Sequence, residues 1–84
     1  MFYVYIIKSS KTKDLYYGFS SDLKARIKSH NEGSNISTKD GVPWELIYYE
    51  AFKSEDDARK REAKLKHYGN ARTHIKNRIQ KSLL

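Results

Sequence analysis

Phe2-Tyr3-Val4-Tyr5-Ile6-Ile7 and Leu15-Tyr16-Tyr17-Gly18-Phe19 are two short runs dense in β-branched and aromatic side chains, separated by the polar Ser9-Ser10-Lys11-Thr12-Lys13-Asp14. That pattern predicts a β-hairpin. Side chains alternate along a strand, so Tyr3 and Tyr5 share one face of the first run, and Tyr16 and Gly18 share one face of the second. If pairing makes those faces coincide, Tyr5 and Tyr16 present two phenols beside a glycine that leaves room for a ligand. The plainer reading has the tyrosines as amphipathic strand residues whose hydroxyls meet water.

Beyond the hairpin the period changes. Leu23, Ile27 and His30 recur at i, i+4 and i+7 behind the capping candidates Ser20, Ser21 and Asp22, with Gly33 as a stop, which predicts a helix of about three turns. Residues 31–43 hold Gly, Ser, Asn, Asp and Pro without periodicity and form a connecting loop long enough for function or mobility. Trp44 to Phe52 reads as a third strand, apolar on both faces over part of its length, as a central strand would be. Ser54 stands three residues before Asp57, a capping-box-like start for a second helix reaching about Tyr68. Gly69 is its expected terminator, and Ile75, Ile79 and Leu83 then mark a narrow apolar stripe on a basic third helix. The order β-β-α-β-α-α implies an α/β (α+β) sandwich, a small three-stranded antiparallel sheet flanked by helices.

Eighty-four residues suit a single domain with a modest core. No cysteine is present, so disulfides and thiolate metal sites are excluded, and a reducing, cytoplasmic setting is expected. No apolar run approaches the roughly 20 residues that span a bilayer, and Phe2 to Ile7 is too short for a signal peptide's hydrophobic region. The net charge of +7 is uneven: residues 53–84 carry ten Lys/Arg against four Asp/Glu, whereas residues 1–52 carry seven against six. Such a basic segment attracts polyanions; a solvated helix surface that aids solubility is the alternative.

Three side chains sit oddly for a plain core. Arg26 and His30 are i, i+4 neighbours on or beside the buried stripe of the first helix. A guanidinium there suits a carboxylate or phosphate; equally, Arg26 can snorkel to water and His30 can pack as a polar core residue. Glu62 shares the inward stripe of the second helix with Ala58 and Leu65. A buried carboxylate needs a cation, and the candidates are a metal ion, Arg26, or Lys66 four residues on.

Taken together, these residues resemble the GIY-YIG nuclease superfamily, and within it the group of small stand-alone single-domain proteins. The motifs appear as Tyr3-Val4-Tyr5 and Tyr16-Tyr17-Gly18, with Arg26 ten residues after Tyr16 and His30 four later. Glu62 lies within Ala58-Arg59-Lys60-Arg61-Glu62-Ala63-Lys64-Leu65-Lys66, which resembles the family's acidic metal-ligand helix, while Pro43-Trp44 and Tyr49-Glu50 resemble the stand-alone group in particular. The likeness covers roughly residues 2 to 68.

The resemblance implies hydrolysis of DNA phosphodiester bonds with one divalent ion, Mg²⁺ or Mn²⁺, held by Glu62. Arg26 would bind the scissile phosphate. Tyr5 would be the general base, helped by Tyr16 or His30, unless His30 is itself the base. A phenol's reference pKa of about 10 lies roughly 3 units above neutrality, a gap worth about 4 kcal/mol that the site must supply. Tyr3 stands in place of the first motif's opening glycine, and Phe19 stands where some repair-type members carry a lysine. The basic segment from Arg59 to Lys81, with Lys60, Lys64, Lys66, Arg72 and Lys76, would grip phosphates. A non-catalytic nucleic-acid-binding module of the same fold is the alternative, and a protein-interaction adaptor is a third.

Overall fold

Val4, Tyr5, Ile6 and Ile7 are all buried, which requires their strand to be covered on both faces. In the computed structural model, which describes residues 1–84, that strand is β1 (Phe2–Ser9). It is the centre of a three-stranded antiparallel sheet between β2 (Leu15–Ser20) and β3 (Trp44–Phe52). The element order is the one expected, β-β-α-β-α-α.

The central position expected for Trp44 to Phe52 is corrected: β3 is an edge, with Glu45, Tyr49 and Ala51 exposed. Its apolar residues point both ways because of a register shift. Ile6 pairs with Tyr48 but Ile7 with Leu46, so Ile47 is an extra residue that switches the strand's alternation. Trp44 and Leu46 therefore face one side of the sheet, and Ile47, Tyr48 and Phe52 pack on the other.

Helices cover both faces. One face of β1 presents Val4 and Ile6 to Ala58 and Leu65 of α2 (Glu55–His67) and to Ile75 of α3 (Gly69–Arg78), with Ile79 completing the cluster. On the other face Tyr5, Ile7 and Trp44 meet Leu23 and Ile27 of α1 (Leu23–Asn31). The caps follow the sequence. The Asp22 carboxylate accepts a bond from the Ala25 N–H at 3.1 Å, and the Ser54 hydroxyl accepts one from the Asp57 N–H at 3.3 Å. Gly33, at φ +74°, takes the left-handed conformation just past the end of α1.

Gly69 is not the terminator of α2. The helix stops at His67, Tyr68 is extended, and Gly69 is the first residue of α3. Arg72 instead reaches back to the freed carbonyls of Leu65 and Lys66, at 2.7 and 3.2 Å, so a side chain does the capping expected of a glycine. The third-helix stripe forms, but regular helix ends at Arg78, and a further turn places Leu83 against the core, its N–H bonded to the Ile79 carbonyl at 3.1 Å.

The loop after α1 is tied to the sheet. The Asn31 side chain accepts from the Trp44 N–H at 2.6 Å and donates to its carbonyl at 3.0 Å. A short 3-10 turn, Lys39–Gly41, follows the buried Thr38. No helix is long and apolar enough to cross a membrane.

Candidate active site

The hairpin register makes the two tyrosine faces coincide: Tyr5 pairs with Gly18, and Ile7 with Tyr16. The Tyr5 phenol fills the space above Gly18, where a Cβ would overlap its Cζ and hydroxyl oxygen. Glycine is thus required by close approach rather than by a turn. At the β2 edge a polar hollow of about 380 Å³ opens, lined by Tyr5, Tyr16 and Gly18 of the hairpin, Arg26 of α1, and Arg59 and Glu62 of α2. The two helices lie on opposite faces of the sheet, and their charged groups meet around its open edge.

A larger cavity of about 580 Å³ lies elsewhere, between Tyr3, Leu46 and Tyr49 of the sheet and Leu23 and Ile27 of α1. Its walls are mainly apolar. The smaller hollow is the better candidate for chemistry, because two guanidinium groups, a carboxylate and two phenols converge there.

Glu62 is turned inward, its side chain 18 % exposed, and pairs with Lys66 Nζ at 3.0 Å. Of the two protein cations the sequence allowed, the one in contact is thus the lysine, and that lysine is close to the hairpin, 5.8 Å from the Tyr16 ring centroid. The Arg59 guanidinium lies 3.9 Å over the Phe19 ring and also pairs with Glu55 at 3.3 Å. A cation therefore stands over Phe19 at the wall of the hollow.

His30 sits behind the hollow with no exposed surface. Its Nε2 is 2.7 Å from the Tyr5 hydroxyl and its Nδ1 is 2.7 Å from the Thr38 hydroxyl. The ring also meets Tyr16 edge-on at 5.2 Å between centroids. Burial, and then the Arg26 charge one turn earlier, hold the imidazole pKa below its usual 6.5. Burial pushes the Tyr5 phenol upward, Tyr16 and Glu62 add to the rise, and Arg26 opposes it.

Tyr5, Tyr16, Gly18, Arg26 and Glu62 thus come together, with His30 supporting Tyr5 from the interior. The basic residues are more scattered. Lys60 and Lys64 are exposed on the outer side of α2, Lys76 is exposed on α3, and Arg72 is committed to the carbonyls ending α2. Only Lys66 of those five stands beside Glu62. The sequence marks Arg59 only as the start of the basic segment and not as a residue of the hollow, and it gives Thr38 no role. The first was visible as the neighbour, one turn back, of Glu62; the second carries no local signal, being one hydroxyl in a polar loop.

The GIY-YIG catalytic domain family model matches residues 1–77. A UPF0213 protein of Staphylococcus haemolyticus is 42 % identical over 65 residues, covering 76 % of this chain and 78 % of that protein. Another, from Clostridium perfringens, is 40 % identical over 67 residues, covering 79 % and 71 %, and one from Staphylococcus aureus is 39 % identical over 67 residues, covering 79 % and 80 %. No solved structure matches the chain significantly. With the family model matched along nearly its whole length, the chain belongs to the GIY-YIG catalytic domain family.

Proposed function

We propose that this chain hydrolyses DNA phosphodiester bonds with one divalent cation, Mg²⁺ or Mn²⁺, at the hollow between Tyr5, Tyr16, Arg26 and Glu62. One observation carries the reading: an inward carboxylate from α2 and a guanidinium from α1 share a polar hollow with two phenols. The donor set fits the cation. Glu62 is the one carboxylate lining the hollow, so it would be the lone protein carboxylate on the ion. Mg²⁺ commonly takes only one or two carboxylates and fills its shell with water and substrate phosphate oxygens. When bound, such an ion polarises the phosphate and offsets charge on the leaving oxygen.

The protein's own groups do the rest. Arg26 binds the scissile phosphate and compensates its transition-state charge. A standing tyrosinate at position 5 is disfavoured near neutrality, since burial pushes that phenol up. The hydroxyl instead passes its proton to His30 Nε2, 2.7 Å away, as it takes one from the attacking water. A neutral His30, held below its usual pKa by burial and Arg26, is in the right state to accept it. Lys66 and Arg59, with the exposed lysines of α2 and α3, draw the phosphate backbone in.

Purified protein with Mg²⁺ or Mn²⁺ is incubated with linear, supercoiled and branched DNA. Cleavage is expected to fall at least about 100-fold in Glu62→Gln with DNA affinity retained. Identical nicking by both proteins would point to a contaminant, and binding without cleavage by the wild type would leave the non-catalytic module in its place.

A further inference from the structure

Thr38 lies in the loop after α1, and its backbone is held at both polar atoms. Its N–H donates to the Asn35 carbonyl at 3.1 Å. Its carbonyl accepts from the Trp44 indole N–H at 2.8 Å and from the Gly41 N–H at 3.0 Å. With 1 % of its surface exposed, the residue has little freedom. Its hydroxyl has two polar neighbours, His30 Nδ1 at 2.7 Å and, more loosely, the Asn35 carbonyl at 3.5 Å.

A carbonyl can only accept, and a neutral imidazole carries one N–H. If Thr38 donates to Asn35, its oxygen is free to accept the His30 Nδ1–H. Nε2 then has a lone pair facing the Tyr5 hydroxyl, and each of the three protons has an acceptor within the protein. In the opposite tautomer Thr38 donates to Nδ1 and Nε2–H points at the Tyr5 oxygen. The Tyr5 proton then has no protein acceptor, because His30 is that hydroxyl's only hydrogen-bond partner, and is left to water in the hollow. Tyr5 is only 2 % exposed, so the arrangement that satisfies every member within the protein is favoured.

We propose that Thr38 is a positioning residue that holds His30 in the Nδ1–H tautomer, so that Nε2 faces the Tyr5 hydroxyl as a proton acceptor. The inference deepens the nuclease reading and rests on it for its catalytic meaning, but the tautomer itself is independent of DNA and metal. Asn35 contributes through its backbone, so the loop supplies the device with one side chain. The same segment, through Trp44 and Asn31, is anchored to β3, which keeps the hydroxyl in place while substrate comes and goes.

The test is nitrogen-15 NMR of the imidazoles in the metal-free protein at pH 7.5, with His30 assigned by the spectrum of His30→Gln. The expected spectrum has His30 protonated at Nδ1 with a bare Nε2; protonation at Nε2 overturns the proposal even if the protein cuts DNA. A wild type that fails to cut while showing the Nδ1–H form removes the nuclease reading and leaves the hydrogen-bond chain standing. In cleavage assays Thr38→Val should lower kcat by about 10- to 100-fold with little change in KM, and Thr38→Ser should recover most of the loss. Full kcat in Thr38→Val would also overturn the proposal. The single tryptophan, bonded to the Thr38 carbonyl, reports by fluorescence whether the loop is intact. If Thr38→Val does not fold, the wild-type tautomer and the serine variant decide the matter.

Discussion

Gly18 and Tyr5 are partners across the β1–β2 ladder, and the phenol occupies the volume in which any side chain at position 18 would begin. The obstacle is the ring end that bonds His30, a buried group with little freedom to yield. Gly18→Ala should therefore cost about 1–3 kcal/mol in urea unfolding and abolish most cleavage by displacing the Tyr5 hydroxyl. Unchanged stability and activity would show that the phenol is not held where the register puts it.

Arg26 shares the hollow with Glu62 and forms no ion pair there. Arg26→Ala is expected to reduce cleavage by about 100- to 1,000-fold. Arg26→Lys should recover little of it, because a point charge does not reproduce a planar bidentate fork. Single-turnover rates check this, and near-complete rescue by lysine would argue against bidentate phosphate contact.

The pH profile follows from His30. Its pKa is lowered by burial and then by Arg26, so protonation, which blocks acceptance of the Tyr5 proton, takes place only below its usual 6.5. Cleavage should thus rise with pH along an acid limb centred below 6.5 and be level at neutrality. A limb centred well above 7 would remove His30 from the proton path.

Lys66 competes for the carboxylate that would hold the cation, at 3.0 Å in a pair partly open to solvent. Lys66→Ala should tighten Mn²⁺ binding by up to about fivefold, the equivalent of a solvent-screened pair worth about 1 kcal/mol or less. Calorimetric titration of the protein alone measures it. A weaker Mn²⁺ affinity in the variant would mean that Glu62 is not the ligand.

Away from the hollow, Arg61 joins α2 to β3 by two bonds to Glu50, at 2.8 and 3.0 Å, and the Tyr48 hydroxyl donates to the same carboxylate at 2.6 Å. Burial alone would raise the Glu50 pKa, but the bonds from Arg61 and Tyr48 prevail and hold it below 4.5. That stabilisation is present above 4.5 and is lost as pH falls through the depressed value. Arg61→Ala should cost about 1.5–3 kcal/mol at pH 7, and the gap to wild type should narrow as the pH falls from 4.5 through the depressed value. A gap in urea unfolding that stays the same down to the onset of acid unfolding would contradict it.

Much of the fold is legible in local pattern. The hairpin, the helix starting after Asp22 and the helix starting after Ser54 each carry their own period and cap, so they are readable without neighbours. The third strand is different. Trp44 to Phe52 has apolar residues on both sides, which alternation alone cannot distinguish from a central strand, and the extra residue Ile47 that reverses its faces exists only relative to β1. Gly69 shows the same limit, because the group that finishes α2 is a guanidinium from the next helix.

The sequence by itself determined the element order, the inward turn of Glu62 and the pairing of Arg26 with His30 on one helix, because helix and strand periods are set by backbone geometry alone. Only the tertiary structure decided that Glu62 meets Lys66, that Arg59 covers Phe19, and that Thr38 lies against His30. Those contacts join residues on different elements, or place one residue rather than another within reach. Lys66 is one helical turn after Glu62 and so within reach by local period, but that it pairs there in preference to Arg26, and where α2 lies over Phe19 and the loop against His30, depend on packing that no local period encodes.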